Sequence, residues 1–477
     1  MGRKLIFLEF NEICPPLLDR WMAAGELPNF RRFYEDSEVF TTVTDVDSGP
    51  HLEPWVQWYS LHTGIRTERH RVFNLTDGTR AAHEDVWGIL RRHNLRVMNC
   101  SSMNARAFEG DGNFYMPDPW CNSQMPFPEE VNRFYRVVSH QVRQYTSRDS
   151  GLGLREYLSF LRFLIGHGLG FKTVRAVLGQ LAGERFSRGK TSWKRVSLLD
   201  RMQADVFRHY WRELQPDFAT FFVNSTAHYQ HAYWRCMDPE PFVVKPSDAE
   251  RRRYGGAVLH GYRQMDALLA DFFRLERAGA TLVLASAMSQ QPFLRCESTG
   301  GQRFFRPHKV EALLARLEIR PERIEPVMTH QFVVHFADDA GAEHARRTLR
   351  EARMDGQAVF GLDPAATGRK ILFDCCVHHE VPEGSVVTLP GDPPRTLRFS
   401  EQFYMIDAMK SGKHHPEGVL WFKRGHHRLH QERVSVLDIL PTILSAFGLP
   451  KSAASEAEVS SKAIDGLFDP AREAVPA

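Results

Sequence analysis

The stretch from Asp217 to Val223 (DFATFFV) constrains the fold of this chain more than any other. After a Pro-Asp turn it runs apolar and β-branched without a break. A strand with one face in water would alternate, so this run predicts a strand buried on both faces, as in a parallel sheet covered by helices. It stops at Asn224, Ser225 and Thr226, residue types that favour turns and helix caps. The chain then delivers His228 and His231, three apart at a helix start and nearly on one face. Ligands of open α/β sheets bind beyond the carboxyl ends of the strands, so these imidazoles are candidate site residues.

The same logic repeats along the chain. Lys4 to Phe10 reads as a first core strand, with Asn11 and Glu12 at its crevice end. Ala280 to Ala285 is another buried strand, ending in a segment that carries Gln290. A polar loop from Asp47 to Pro54 carries His51 and Glu53 and feeds a helix that begins near Trp55. A helix start offers free N–H groups and the positive end of a dipole, suited to anions. A polar segment with Lys413, His414 and His415 precedes a strand from Val419 to Phe422. Helix-then-strand alternation of this kind predicts an α/β fold, a doubly wound, mostly parallel sheet.

Two interruptions suggest further units. The core is expected over 1–104, a loop and helical cap insertion over 105–197, the core again over 198–325, a small α+β subdomain over 326–395, the completed core over 396–450 and a loose tail over 451–477. Within the insertion, Leu158 to Phe171 is the most apolar helical window. Arg162, His167 and its glycines make it too short and polar to span a bilayer, leaving a pocket cover or a membrane-surface element.

Composition narrows the classes. With 61 basic and 58 acidic residues in 477, the net charge of +3 gives no reason to expect nucleic acid as a partner. Seven cysteines without a CxxC pair read as reduced thiols, and the N-terminus lacks a signal peptide's apolar core. A cytoplasmic protein is the expectation.

Several pieces in order resemble the alkaline phosphatase superfamily, on its type I phosphodiesterase/nucleotide pyrophosphatase side. They are LLDRWMAAGELPNF after the first strand, PWVQWYSLHTGIRTERHRV at 54–72, AHYQHAYW at 227–234, LVLASAMSQ, KHHPEGVLWFKRG at 413–425 and VSVLDILPTILSAFGLP at 434–450. The resemblance implies an alkaline phosphatase-like core and two metal ions flanking a Thr or Ser nucleophile. It also implies transfer of phosphoryl or sulfuryl groups, since paired ions stabilise the attacking and leaving oxygens. Residue by residue, most of the family's ligands are replaced. Its first-strand Asp falls on Asn11, its Asp-x-x-x-His pair on Ala227 and His231, and its later Asp-His pair on Ala287 and Met288, while its last His falls on His414. The nucleophile's place falls near Pro54, with His51 and Glu53 beside it and Ser48 upstream.

His231 and His414 therefore remain as ligands for at most one divalent metal, Zn or Mn, with a third ligand from Glu53, Glu12 or His228. A metal-free pocket with hydrogen-bonded histidines is the other reading. Glu53, Asn11, Glu12 and His51 are the candidate catalytic groups; His228, Gln290, His415, Trp55 and Lys413 are the candidate substrate contacts. The expected activity is a divergent phosphodiesterase- or phosphatase-like hydrolase or transferase acting on a phosphorylated or anionic small molecule. The alternative is a non-catalytic protein of the same fold that binds a ligand or a biosynthetic partner.

Overall fold

Apolar residues facing both sides of the first strand dictate a three-layer arrangement. The core strands are β1 (Lys4–Phe10), β2 (Ser37–Val43), β3 (Val97–Cys100), β4 (Phe114–Met116), β5 (Phe218–Val223) and β6 (Ala280–Ser286). They are followed by β7 (Ser289–Pro292), β8 (Gly412–His415), β9 (Glu417–Lys423) and β10 (Arg428–Ser435). Eight of them form one sheet in the order β10-β2-β9-β6-β1-β5-β3-β4. Every neighbouring pair is parallel except those made by β9, which runs antiparallel to β2 and β6. The computed structural model describes residues 3–468 except 122, 148–150, 329, 365, 455–460 and 465.

Side chains alternate across β1. Ile6, Leu8 and Phe10 join Ala219, Phe221 and Leu284 under the helices Val196–Leu214 and Ala257–Arg277. Leu5 and Phe7 join Phe218, Phe222 and Val283 under the helices Pro54–Thr63 and Ile439–Ala446. Burial of each such large side chain contributes about 1.5–3 kcal/mol, which is why the continuous apolar runs end up inside. The doubly wound α/β architecture follows.

Glu9 is the exception in β1. It is fully buried, and its Oε1 lies 2.8 Å from His62 Nε2 on the helix Pro54–Thr63. A carboxyl group buried at that depth needs a hydrogen-bond partner, and this contact ties the helix to the sheet. Pro54 at the first helical position sets where that helix begins, with Glu53 as its cap residue.

The segment from 105 does not leave the core at once, because Phe114–Met116 is the sheet's edge strand. The helices Asn132–Arg143, Leu154–Gly166 and Phe171–Ser187 follow before Val196–Leu214 leads into β5. Next come two helices, Asp248–Tyr254 and Ala257–Arg277, interrupted at Gly255 and Gly256. The smaller module has its own core, including Phe332, Leu349 and Phe373. Its strand Phe332–His335 pairs antiparallel with Arg323–Pro326. Of the expected loose tail, Ala453, Ala454, Leu467 and Phe468 are buried against the sheet's second face. Positions 455–460, 465 and 469–477 of it lie outside the described residues. Among the described residues no helix is long and apolar enough to cross a membrane.

Candidate active site

Beyond the carboxyl end of β1 the chain turns sharply. Glu12 adopts φ 57°, a left-handed conformation that is uncommon for a side chain of this kind and is held only where surroundings enforce it. The enforcement is visible: Gln230 Nε2 donates to Glu12 O at 2.7 Å, Tyr262 Oη donates to Gln230 Oε1 at 2.9 Å, and Cys14 N donates to that same Oη at 2.7 Å. The turn delivers the Glu12 carboxylate into a hollow between β5, β6 and the β7–β8 ladder.

That ladder brings in the second segment. His414 pairs in register with Gln290, 124 residues earlier in the chain. Gly412, next to them, has no room for a side chain. A Cβ there would come 2.2 Å from Gln290 Oε1 and 2.8 Å from Gln230 O. The third segment is the helix Ser225–Met237, which carries His231.

Glu12, His231 and His414 converge. Glu12 Oε2 lies 3.2 Å from His231 Nε2 and 3.5 Å from His414 Nε2, and the two rings stand nearly perpendicular at 5.1 Å. These three residues are a group whose ligand atoms all lie within 4.8 Å of one another. Each imidazole points its other nitrogen at a main-chain carbonyl: His231 Nδ1 at Gly412 O, 3.1 Å, and His414 Nδ1 at Leu52 O, 2.8 Å. A carbonyl only accepts, so both Nδ1 atoms carry a hydrogen, and both Nε2 atoms face the carboxylate.

Burial pushes the Glu12 carboxyl up, but the His414 and His231 imidazoles and the hydrogen bond from Gln290 outweigh it and hold the group at about 2. Burial lowers His414 to about 4, against the attraction of Glu12. Burial, with His231 beside it, lowers His228 to about 4 as well. At neutral pH the hollow thus holds an ionised carboxylate within 3.5 Å of both Nε2 atoms.

The other expected residues divide. Asn11 is fully buried and fully used: Nδ2 donates to Glu12 Oε1 and Asn224 Oδ1, and Oδ1 accepts from Trp58 Nε1. It has no hydrogen left for a substrate; it orients Glu12. Gln290 Nε2 donates to Glu12 Oε2 and to Ala227 O, which leaves its Oε1 buried without a partner. Glu53 approaches the group from outside, with Oε2 3.4 Å from His414 Nδ1, the nitrogen already committed to Leu52. The carboxylate that meets both Nε2 atoms is therefore that of Glu12 and not that of Glu53. Burial and the Glu12 charge raise the Glu53 carboxyl to about 8, with Lys410 opposing.

His228 packs edge-on to Tyr145, ring centres 5.0 Å apart. His51 stacks on Phe73, Trp55 Nε1 donates to Phe73 O, and Glu417 N donates to His415 Nδ1, so each of these is engaged within the protein. Lys413 is exposed. The lysine close to the acidic groups is Lys410, whose ammonium burial lowers and Glu53 raises. Sequence reasoning missed Lys410, which sits in no recognisable pattern. It also missed Glu9, although a lone acid inside an apolar strand was a visible signal.

The residues present fit one divalent cation and not two. Three ligand atoms converge with tautomers set by second partners, the usual dressing of metal-bound histidines. At the other implied position Ala287 and Met288 are buried and offer no ligand, and the Asn11 oxygen is occupied by Trp58.

No family model and no curated protein matches the chain. Among solved structures it is similar to phosphonoacetate hydrolase from Sinorhizobium meliloti 1021 in complex with phosphonoformate, at 13% identity and TM-score 0.42 over 96% of each chain. It is also similar to the alkaline phosphatase PafA, at 11% identity and TM-score 0.43 over 98% of this chain and 99% of that one. A third is murine ectonucleotide pyrophosphatase/phosphodiesterase 5 in complex with AMP, at 10% identity and TM-score 0.38 over 94% and 95%. These structural neighbours are all members of the alkaline phosphatase superfamily.

Proposed function

We propose that the protein is a divergent phosphoric-ester hydrolase or group transferase that acts on an anionic small molecule with a single divalent cation, zinc or manganese. Glu12, His231 and His414 would hold the cation. The observation that carries this reading is the convergence of two Nε2 atoms on one carboxylate, each ring fixed by a carbonyl on its opposite side. When bound, such an ion supplies Lewis-acid polarisation of an ester oxygen and lowers the pKa of a coordinated water.

The chain's own groups would do the rest. Asn11 and Gln290 keep the Glu12 carboxylate oriented. The Glu53 carboxyl, beside His414 and partly open to solvent, gives or takes the proton of the attacking or leaving oxygen. Lys410 offsets the charge of an anionic substrate, and His228 lines the same side as His231. Seven unpaired thiols support a reducing, cytoplasmic setting.

The test is elemental analysis of the purified protein, followed by chelation, reloading with zinc or manganese, and assay on aryl phosphate monoesters, diesters, phosphonates and sulfate esters. One equivalent of metal and a metal-restored activity are expected. Two equivalents would overturn the ligand assignment. No metal and no turnover after reloading would replace the enzyme by a ligand-binding protein.

A further inference from the structure

Most soluble helices present one apolar face to the core and a polar one to water. The helix Leu154–Gly166 has two apolar faces. One packs inward, with Phe163 and Leu164 buried and Phe160 stacked on Phe134 at 5.5 Å. The other carries Leu154, Leu158, Leu161 and Ile165, spaced four, three and four residues apart so that they form one stripe, and all are exposed. The next helix, Phe171–Ser187, buries Thr173 and Glu184 and exposes Phe171, Leu178, Leu181 and Phe186. Phe171 is 80% and Phe186 87% exposed, at a hydrophobic cost that water alone does not offset. Nine of the sixteen exposed large hydrophobic side chains among the described residues fall between 154 and 186. This concentration marks an interaction surface rather than scattered exposure.

Charge says what covers it. Residues 151–195 contain nine Lys or Arg and only two acids, Glu156 and Glu184, so this segment carries +7 where the whole chain carries +3. Arg155, Arg162, Arg175, Arg185, Arg188 and Lys190 are all exposed. A second copy of the chain meeting this face about a twofold axis would set +7 against +7, which disfavours a symmetric dimer here. Exposed phenylalanine and leucine interleaved with arginine are instead the composition of helices that lie in a bilayer interface and attract anionic headgroups.

We propose that the helices Leu154–Gly166 and Phe171–Ser187 form a docking face for an anionic lipid surface, on which the protein rests without crossing it. At 13 residues the first helix is about 20 Å long, short of the hydrocarbon core. The face stands independently of the reaction proposed above.

Flotation of the full-length protein with vesicles of phosphatidylcholine alone, or mixed with phosphatidylglycerol, tests this. Binding is expected to the mixed vesicles only, and to weaken at high salt. The exposed positions make no core contacts, so the triple variant Ile165→Ser, Phe171→Ser, Phe186→Ser should keep the wild-type unfolding curve and lose binding by tenfold or more. Arg162→Gln and Arg185→Gln should each weaken it by roughly fivefold. Three results would overturn the proposal: equal flotation with neutral vesicles, no flotation with either kind, or a dimer in sedimentation that the serine variant converts to monomer. Ester hydrolysis is read separately, so loss of one property leaves the other measurable.

Discussion

Replacing Glu12 by Gln exchanges one oxygen for an NH2 group at constant volume, so it isolates charge and hydrogen-bond direction. In the native chain Oε2 accepts from Gln290 and Oε1 accepts from Asn11 at 3.0 Å. A glutamine amide offers a single acceptor, so one of those donors meets an NH2 group instead. A buried donor left unmet costs about 1–3 kcal/mol. Proton linkage gives a second figure. The Glu12 carboxyl is held at about 2 against an ordinary 4.5. A carboxylate depressed in this way contributes stability that is fully present above 4.5 and is lost as pH falls towards 2, at most about 3 kcal/mol. Both figures predict that metal-free Glu12→Gln is less stable than the wild type by about 1–3 kcal/mol at neutral pH, and the linkage predicts that the gap narrows as pH falls towards 2. Urea unfolding of both chelated proteins, followed by tryptophan fluorescence from neutrality down to about pH 3, measures it. Zinc adds a further arm. At about a thousand times its dissociation constant it would stabilise the wild type by about 4 kcal/mol, and a hundredfold weaker site would keep about 1.4 kcal/mol. If the variant matches the wild type in both its acid profile and its zinc response, Glu12 is not the group that joins the two imidazoles.

Gly412→Ala forces a Cβ against Gln290 Oε1 and the Gln230 carbonyl. It should shift β8, weaken zinc binding by about 10–100-fold in a chelator competition and leave circular dichroism intact. Asp200 is buried beside Ser225, and burial raises its carboxyl to about 7, with the Ser225 hydroxyl opposing. A raised carboxyl favours the fold below the unfolded value of 3.8 and loses that contribution as pH climbs to 7. Asp200→Asn should therefore gain on the wild type by up to about 4 kcal/mol across that window, read from urea midpoints at matched pH. Arg235 and Glu297 form a buried two-pronged ion pair at 2.6 and 3.0 Å. Arg235→Ala leaves the acid uncompensated and should cost about 3–5 kcal/mol in the same unfolding assay, whereas exchanging both for methionine should cost less.

Local sequence determined the strands and which of their ends matter. Runs such as FATFFV and TLVLA have no polar face, so they could only become central strands, and Asn11, His231 and Gln290 lie at or just past strand ends by chain connectivity alone. Periodicity is a property of neighbours, and what the site does depends on partners that are not neighbours. The nitrogen that each imidazole turns inward is decided by carbonyls 181 and 362 residues away. The choice of Glu12 over Glu53 rests on a left-handed turn held by a glutamine 218 residues on. The apolar stripe on Leu154–Gly166 was equally plain in the sequence, but pattern cannot tell a covered face from a bare one. Only packing, which buried Phe163 and left Ile165 in water, separated the two.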